Sequence, residues 1–289
     1  MSPDFRFNEI DIVTTRNSLR KFLEFCTGRR QDSFRVNLSI VNNTLFIEQY
    51  NVINMAQGRG WGHNFEKTFT RYPAGLEGST THDRFLRYPI ADLSCLVGFE
   101  VDACYEGNEA ESTQAQTEVE GLQDGLERLF LNKPGPSTVV AKVGECSMLP
   151  PSPRLPQGTK KMAQSSAAEL KTCKLGKSGI TAYLAQLWFG RTRWLIVGSH
   201  DQGTIVTNTI TDVSSRLMQW EAERQQDLRK LSAFLAELRE AVRKSGKTRC
   251  CLMYEKGILG GPNLVKLFAV KSTKVEKVVP KEVFSQFWK

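Results

Sequence analysis

The side chains best suited to chemistry are carboxylates set into short apolar segments. In Ala168-Glu169-Leu170-Lys171-Thr172, alternation along an extended chain puts Glu169 and Lys171 on one face and Leu170 on the other. In Phe99-Glu100-Val101-Asp102 the same alternation puts both acids on one face, with Phe99 and Val101 opposite. Charged groups on strands that otherwise read as buried are costly to desolvate unless they meet partners. Glu100, Asp102 and Glu169, joined by Glu66 and by the Leu170 carbonyl if that strand edge is open, form an oxygen donor set for Mg²⁺ or Mn²⁺. Two such ions would activate a water and stabilise the leaving oxygen in phosphodiester or pyrophosphate hydrolysis. Lys171 would neutralise a phosphoryl oxygen or orient the water, and Gln186 would donate to a phosphate. The competing reading is a surface salt-bridge ladder, and the apolar flanks of both segments count against it.

These side chains need elements to hold them. Trp61 to Phe69 predicts a helix with one buried edge, because Phe65 and Phe69 are four apart, and Glu66 lies beside Phe65. Thr181 to Phe189 predicts a second helix through Leu184, Leu187 and Trp188, carrying Gln186 and ended by Gly190. Trp194 to Gly198 predicts a buried strand, with Gly203 to Ile210 as its hairpin partner. Near the start, Ile10 to Val13 reads as a strand and Thr14-Thr15 as the cap of a helix that Gly28 stops. Arg16 falls in its first turn, where outward-pointing amides suit an anionic ligand.

The remaining pattern is architectural. Phe34 to Tyr50 predicts a hairpin turning at Asn42-Asn43, and Arg84 to Ala103 predicts two strands separated by Pro89. Val213 to Lys244 predicts one long helix with a stripe of Leu228, Leu231, Leu235, Leu238 and Val242, capped by Gly246. Cys250 to Tyr254 and Leu264 to Val270 read as late strands, and Phe287-Trp288 as an end tucked into the core.

Composition narrows the function classes. At 289 residues and 32.6 kDa, with 40% hydrophobic and 24% charged residues, the chain can bury a sizeable core. No apolar run approaches the roughly 18 residues that span a bilayer, so no membrane partner is expected, and Met1-Ser2-Pro3-Asp4 does not begin a signal peptide. Three histidines and the lack of any Cys-x-x-Cys pair argue against a zinc site. Seven scattered cysteines read as reduced thiols. The net charge of +8 permits a polyanionic partner. From 105 to 164 the chain turns first acidic and then rich in Pro, Ser, Gly and Lys, which reads as a loop-like insertion with a candidate strand at Val139 to Val143.

Several segments, in order, resemble the DXO family of RNA 5′-end decapping enzymes and exoribonucleases. They are Asp11-Ile12-Val13-Thr14-Thr15-Arg16, Asn43-Thr44-Leu45-Phe46-Ile47, Trp61-Gly62-His63-Asn64-Phe65-Glu66, Phe99-Glu100-Val101-Asp102, Ala168-Glu169-Leu170-Lys171-Thr172 and Ala185-Gln186-Leu187-Trp188, running on through Val197-Gly198 and Gly203. The resemblance covers most of the chain outside the insertion. It implies an α+β fold, a mixed β-sheet core flanked by helices and related to the restriction-endonuclease-like nucleases, in a single catalytic domain over 1–289. It also implies that Glu66, Glu100, Asp102 and Glu169 hold Mg²⁺ or Mn²⁺ with help from the Leu170 carbonyl. Lys171 and Gln186 would contact the scissile phosphate, and Arg16 would lie towards the RNA 5′ end.

The implied partners are a single-stranded RNA 5′ end and a 5′–3′ exoribonuclease, and the implied location is the nucleus, with the cytoplasm as alternative. Two features depart from the family pattern. The spacer between the Asp102 and Glu169 segments is longer, and the sequence starts close to the first motif, so the arginine-rich strand segment that precedes it in the family is expected to be absent or very short. Two other functions fit the same residues: a DNA nuclease on this core, and an inactive scaffold for an RNA exonuclease.

Overall fold

The structure, a computed structural model, describes residues 5–30, 32–49, 61–72, 82–105, 162–177, 179–257, 263–270 and 281–288. The candidate strand at Val139 to Val143 and nearly all of the expected insertion lie outside these residues. In chain order the strands are β1 (Ile12–Thr15), β2 (Phe34–Val41), β3 (Thr44–Gln49), β4 (Asp83–Ile90), β5 (Leu93–Glu100) and β6 (Ala103–Cys104). They continue with β7 (Ala167–Lys174), β8 (Trp194–Asp201), β9 (Thr204–Asp212), β10 (Arg249–Glu255) and β11 (Leu264–Ala269). The helices are α1 (Arg16–Cys26), α2 (Gly62–Phe69), α3 (Ile180–Gly190), α4 (Ser214–Glu223), α5 (Gln225–Lys244) and α6 (Lys281–Phe287). The chain divides into two compact units, each assembled from separate stretches of sequence.

The first unit, Met1–Gln57, Phe85–Phe99 and Gln219–Lys289, carries a mixed seven-stranded sheet in the order β11-β10-β2-β3-β1-β5-β4. β1 runs parallel to both β3 and β5, whereas β2 is antiparallel to β3 and β10. Thr15 caps α1 by accepting the Ser18 N–H at 3.2 Å, and Leu19, Phe22 and Leu23 are buried beneath that helix as their spacing requires. The α5 stripe from Leu228 to Val242 is buried as expected, and Phe234 of that helix meets Phe22 with ring centroids 5.2 Å apart. Trp288 is buried and stacks on Phe7 at 4.3 Å, which fixes the end of the chain.

Two boundaries in this unit differ from the sequence expectation. Pro89 does not separate β4 from β5; it lies within β4, the edge strand of the sheet, where a missing N–H costs no ladder bond. The turn comes later, at Ala91, with φ of 50°. The long helix from Val213 to Lys244 is two helices, because Arg224 leaves helical geometry at φ −107° and ψ 13°. Its N–H is shared between the Trp220 and Glu221 carbonyls, while its guanidinium pairs at 3.2 Å with Asp227 in the first turn of α5. An acid at that position favours a helix start.

The second unit, Gly58–Arg84 and Glu100–Met218, carries the four-stranded sheet β6-β7-β8-β9. β7 is antiparallel to β6 and parallel to β8, and β9 returns antiparallel to β8. The β8–β9 hairpin turns through Gln202 and Gly203, both at positive φ, the geometry that matches strand twist in a two-residue loop. α3 links the parallel pair β7 and β8, and Leu187 packs against Leu195 and Val213. It ends with Gly190 still helical, so Arg191 at φ 48° supplies the left-handed cap expected of the glycine. Tyr105 and residues 162–164, at the margins of the expected insertion, are part of this packed unit: Tyr105 is buried against Trp194, and Gln164 accepts from Arg84 at 2.8 Å.

Candidate active site

β7 behaves as its alternation predicts. Ala168 and Leu170 are buried in a cluster with Phe65, Ala103, Tyr105 and Ile196, so that face of the sheet lies under α2. Glu169 and Lys171 project from the opposite face, which they share with their register partners Leu195 and Val197. α3 covers that face and brings Gln186 to Glu169. Glu169 is 1% exposed, a burial that a carboxylate tolerates only with partners. It has them: Lys171 Nζ and Gln186 Nε2 both donate to Glu169 Oε1.

Asp102 closes the group from the sheet edge. β6 has only two residues and its ladder with β7 ends at Ala103↔Ala168. Beyond that point no strand pairs with β7 on that side among the described residues. The Leu170 N–H points to this open edge and donates to Asp102 Oδ2 at 2.9 Å. In a strand the N–H and C=O of one residue face the same side, so the Leu170 carbonyl also faces the open edge. Lys171 Nζ lies 3.9 Å from Asp102 Oδ2 and therefore serves both carboxylates.

Among the described residues Lys171 pairs with both Asp102 and Glu169. Burial pushes the Asp102 carboxyl up to about 7; Glu169 beside it adds to the rise and Glu66 adds further, against the opposing pull of Lys171 and the Leu170 N–H. Glu66 thus comes within charge range of Asp102 from α2. Glu100 differs. β5 stops at Glu100 and β6 starts at Ala103, so Asp102 sits in the link by which the chain leaves one sheet for the other, not on a continuous strand with Glu100. Glu100 is exposed, whereas the Asp102 side chain is 13% exposed.

The structure therefore joins Asp102, Glu169, Lys171 and Gln186 by direct contact and brings Glu66 within electrostatic reach. Among the described residues no group of three or more His, Cys, Asp or Glu side chains closes into a coordination cluster. The donors that converge are nonetheless hard oxygens carrying more negative charge than Lys171 offsets, which is the chemistry a divalent cation fits. Arg16 belongs to the first unit, where its guanidinium lies 5.3 Å over the Phe99 ring.

Sequence reasoning missed how α2 is held. A Cβ at Gly198 of β8 would lie 2.6 Å from the Phe65 ring, and one at Gly203 would lie 2.6 Å from the Trp61 ring. Two glycines thus seat the helix that carries Glu66. The signal was present: a glycine within an apolar strand marks the close approach of another group.

Comparison with known proteins identifies the fold. No curated protein matches the sequence. Among solved structures, Schizosaccharomyces pombe Rai1 in complex with 3′-FADP is similar with a TM-score of 0.56 at 15% identity, over 91% of this chain and 72% of that one. Scheffersomyces stipitis Rai1 in complex with (3′-NADP)⁺ and calcium ion is similar with a TM-score of 0.50 at 12% identity, over 90% of this chain and 67% of that one. The expected α+β architecture with its mixed sheet is the one they share. The fold is thus that of the DXO family, and by a match over residues 1–288 the chain belongs to DUF8563, a family described as a domain of unknown function.

Proposed function

We propose that this protein is a divalent-metal-dependent hydrolase that removes the 5′ end of RNA: an incomplete or non-canonical cap, an NAD-type cap, a pyrophosphate or a short 5′ fragment. The observation that carries the reading is the buried Glu169 carboxylate, held by Lys171 and Gln186 and adjoined by Asp102 at an open strand edge. Glu66, Glu100, Asp102, Glu169 and the Leu170 carbonyl would hold Mg²⁺ or Mn²⁺, two ions in all. Such ions supply a water that ionises near neutral pH and neutralise charge on the leaving oxygen. The calcium ion of S. stipitis Rai1 supports a divalent site on this fold.

The chain's own groups do the rest. Lys171 and Gln186, which converge on Glu169 Oε1, would donate to the scissile phosphate, Lys171 as a point charge and Gln186 as a neutral donor. The proton of the attacking water would pass to one carboxylate of this group, Asp102 or Glu169. Arg16 would lie towards the RNA 5′ end. The dinucleotide ligands of the two Rai1 structures support a 5′ end of nucleotide-cap type. A 5′–3′ exoribonuclease as partner and the nucleus as location follow from the same family reading.

The test uses one RNA body carrying hydroxyl, monophosphate, triphosphate, guanosine-cap or NAD-cap ends, with Mn²⁺ or Mg²⁺, and the Glu169→Ala variant beside the wild type. Release of a 5′ product that the variant loses is expected. No product from any RNA, with cleavage of the matching DNA, would assign the site to a DNA nuclease. Silence on both, without Mn²⁺ binding, would leave a scaffold.

A further inference from the structure

Trp61 occupies the N-cap position of α2, a place that favours Ser, Thr, Asp or Asn, and its side chain makes no capping bond. It does not join the core either, being 42% exposed. It lies on Gly203, whose positive φ and lack of Cβ let the ring settle onto the β8–β9 turn. The His200 ring stands 6.3 Å away at 58°, held where its Nδ1 accepts the Gly203 N–H at 3.3 Å. Register pairs His200 with Lys174 of β7, so both project from one face. Lys174, Leu175 and Lys177 are exposed at this end of β7, and Leu175 N–H donates to the His200 carbonyl at 2.9 Å. Asp201 is the acid of this turn and is also exposed.

A half-exposed tryptophan beside a partly exposed histidine, with lysines near it, has the composition that takes stacked bases and their phosphates. Its place suits the site already described. α2 runs from Trp61, on the hairpin turn, past Phe65, on Gly198, so Trp61 and Glu66 are separated by about 7.5 Å along the helix axis. The platform stands at the carboxyl end of the parallel pair β7 and β8, the end at which ligands gather in open sheets of this connectivity.

We propose that Trp61 and His200 form a stacking platform for a base of single-stranded RNA downstream of the bond to be cut, with Lys174 and Lys177 drawing the flanking phosphates. The choice of RNA rests on the functional reading above; the platform itself rests on the geometry of Trp61, His200 and Gly203. Stacking of this kind is read by shape, so the platform would favour single strands over duplex and discriminate weakly among bases.

The experiment measures binding of 5′-monophosphorylated pentauridylate, labelled at its 3′ end, by fluorescence anisotropy with Ca²⁺ as the divalent ion. Trp61→Ala is expected to weaken binding by about 5- to 150-fold, and Trp61→Phe to keep most of the affinity. Oligonucleotides carrying one abasic position in turn supply the second arm. Wild type should lose a similar factor at one position, and Trp61→Ala should be indifferent to the same change. Lys174→Gln should lower the slope of log affinity against log salt by about 0.7. Equal affinity of wild type and Trp61→Ala, or an abasic penalty that persists in Trp61→Ala, would overturn the platform while leaving the RNA reading in place. A wild type that binds no pentanucleotide at all would overturn both.

Discussion

Asp102 accepts the backbone N–H of Leu170 at 2.9 Å, at the edge of β7 that the two-residue β6 leaves uncovered. That bond makes the site an edge site. Glu169 and Lys171 approach it from the face under α3, Glu66 approaches from α2 on the other face, and the Leu170 carbonyl faces the same opening. A carboxylate there satisfies a backbone group that a longer β6 would have paired.

Lys171 is the cation in contact with both Asp102 and Glu169. Lys171→Met, similar in length, leaves two neighbouring buried carboxylates without it. The expected loss of stability in chelator is about 3 kcal/mol, read from urea denaturation. Added Mn²⁺ should restore more stability to the variant than it adds to the wild type, since binding to the folded state alone stabilises by mass action. An unchanged urea midpoint would refute the charge account.

Gly198 fixes the distance between β8 and α2. Gly198→Ala would place a methyl 2.6 Å from the buried Phe65 ring and is expected to cost about 1–3 kcal/mol in thermal or urea unfolding. Phe65→Leu in that background should recover part of the loss, a non-additivity that independent sites do not show. Additive effects would mean that the two residues do not oppose one another.

The expected alternation held where a strand is long and one face is apolar. Glu169, Lys171 and Leu170 fall as a period of two demands, and α2 follows from Phe65 and Phe69, whose rings lie 4.6 Å apart. It failed where the chain changes sheets. Periodicity cannot report that β5 ends at Glu100, because Phe99 and Val101 are both buried, each in its own setting. Pro89 misled because its effect depends on whether β4 is an edge strand, a property of the sheet and not of the segment. The break at Arg224 shows no glycine or proline; it rests on a shared carbonyl bond and on Asp227. Gly198 was visible as a residue, but its partner Phe65 lies far away in sequence.

The Asp102 carboxyl sets a pH dependence. Its folded value of about 7 lies above the ordinary 3.8, so between those values the folded protein holds a proton that the unfolded chain has released. In the absence of metal, stability should therefore be fullest below about pH 4 from this group and fall as pH rises towards 7, by at most on the order of 4 kcal/mol. Asp102→Asn should flatten that fall. Divalent metal should reverse it, since a ligand carboxylate must be ionised to bind. Thermal melting across pH 5 to 8, with chelator and with Mn²⁺, reads both; parallel curves for wild type and Asp102→Asn would contradict the assignment.

The central claim is tested most directly by the masses of both products, the released 5′ fragment and the remaining RNA body, from one NAD-capped and one triphosphate RNA in ¹⁸O-water with Mn²⁺. Wild type is predicted to place one ¹⁸O per cleavage on the product that keeps the attacked phosphate, and Glu169→Gln to be slower by at least about 100-fold. Cleavage with no solvent oxygen in either product, or an undiminished rate in Glu169→Gln, would contradict hydrolysis at this site.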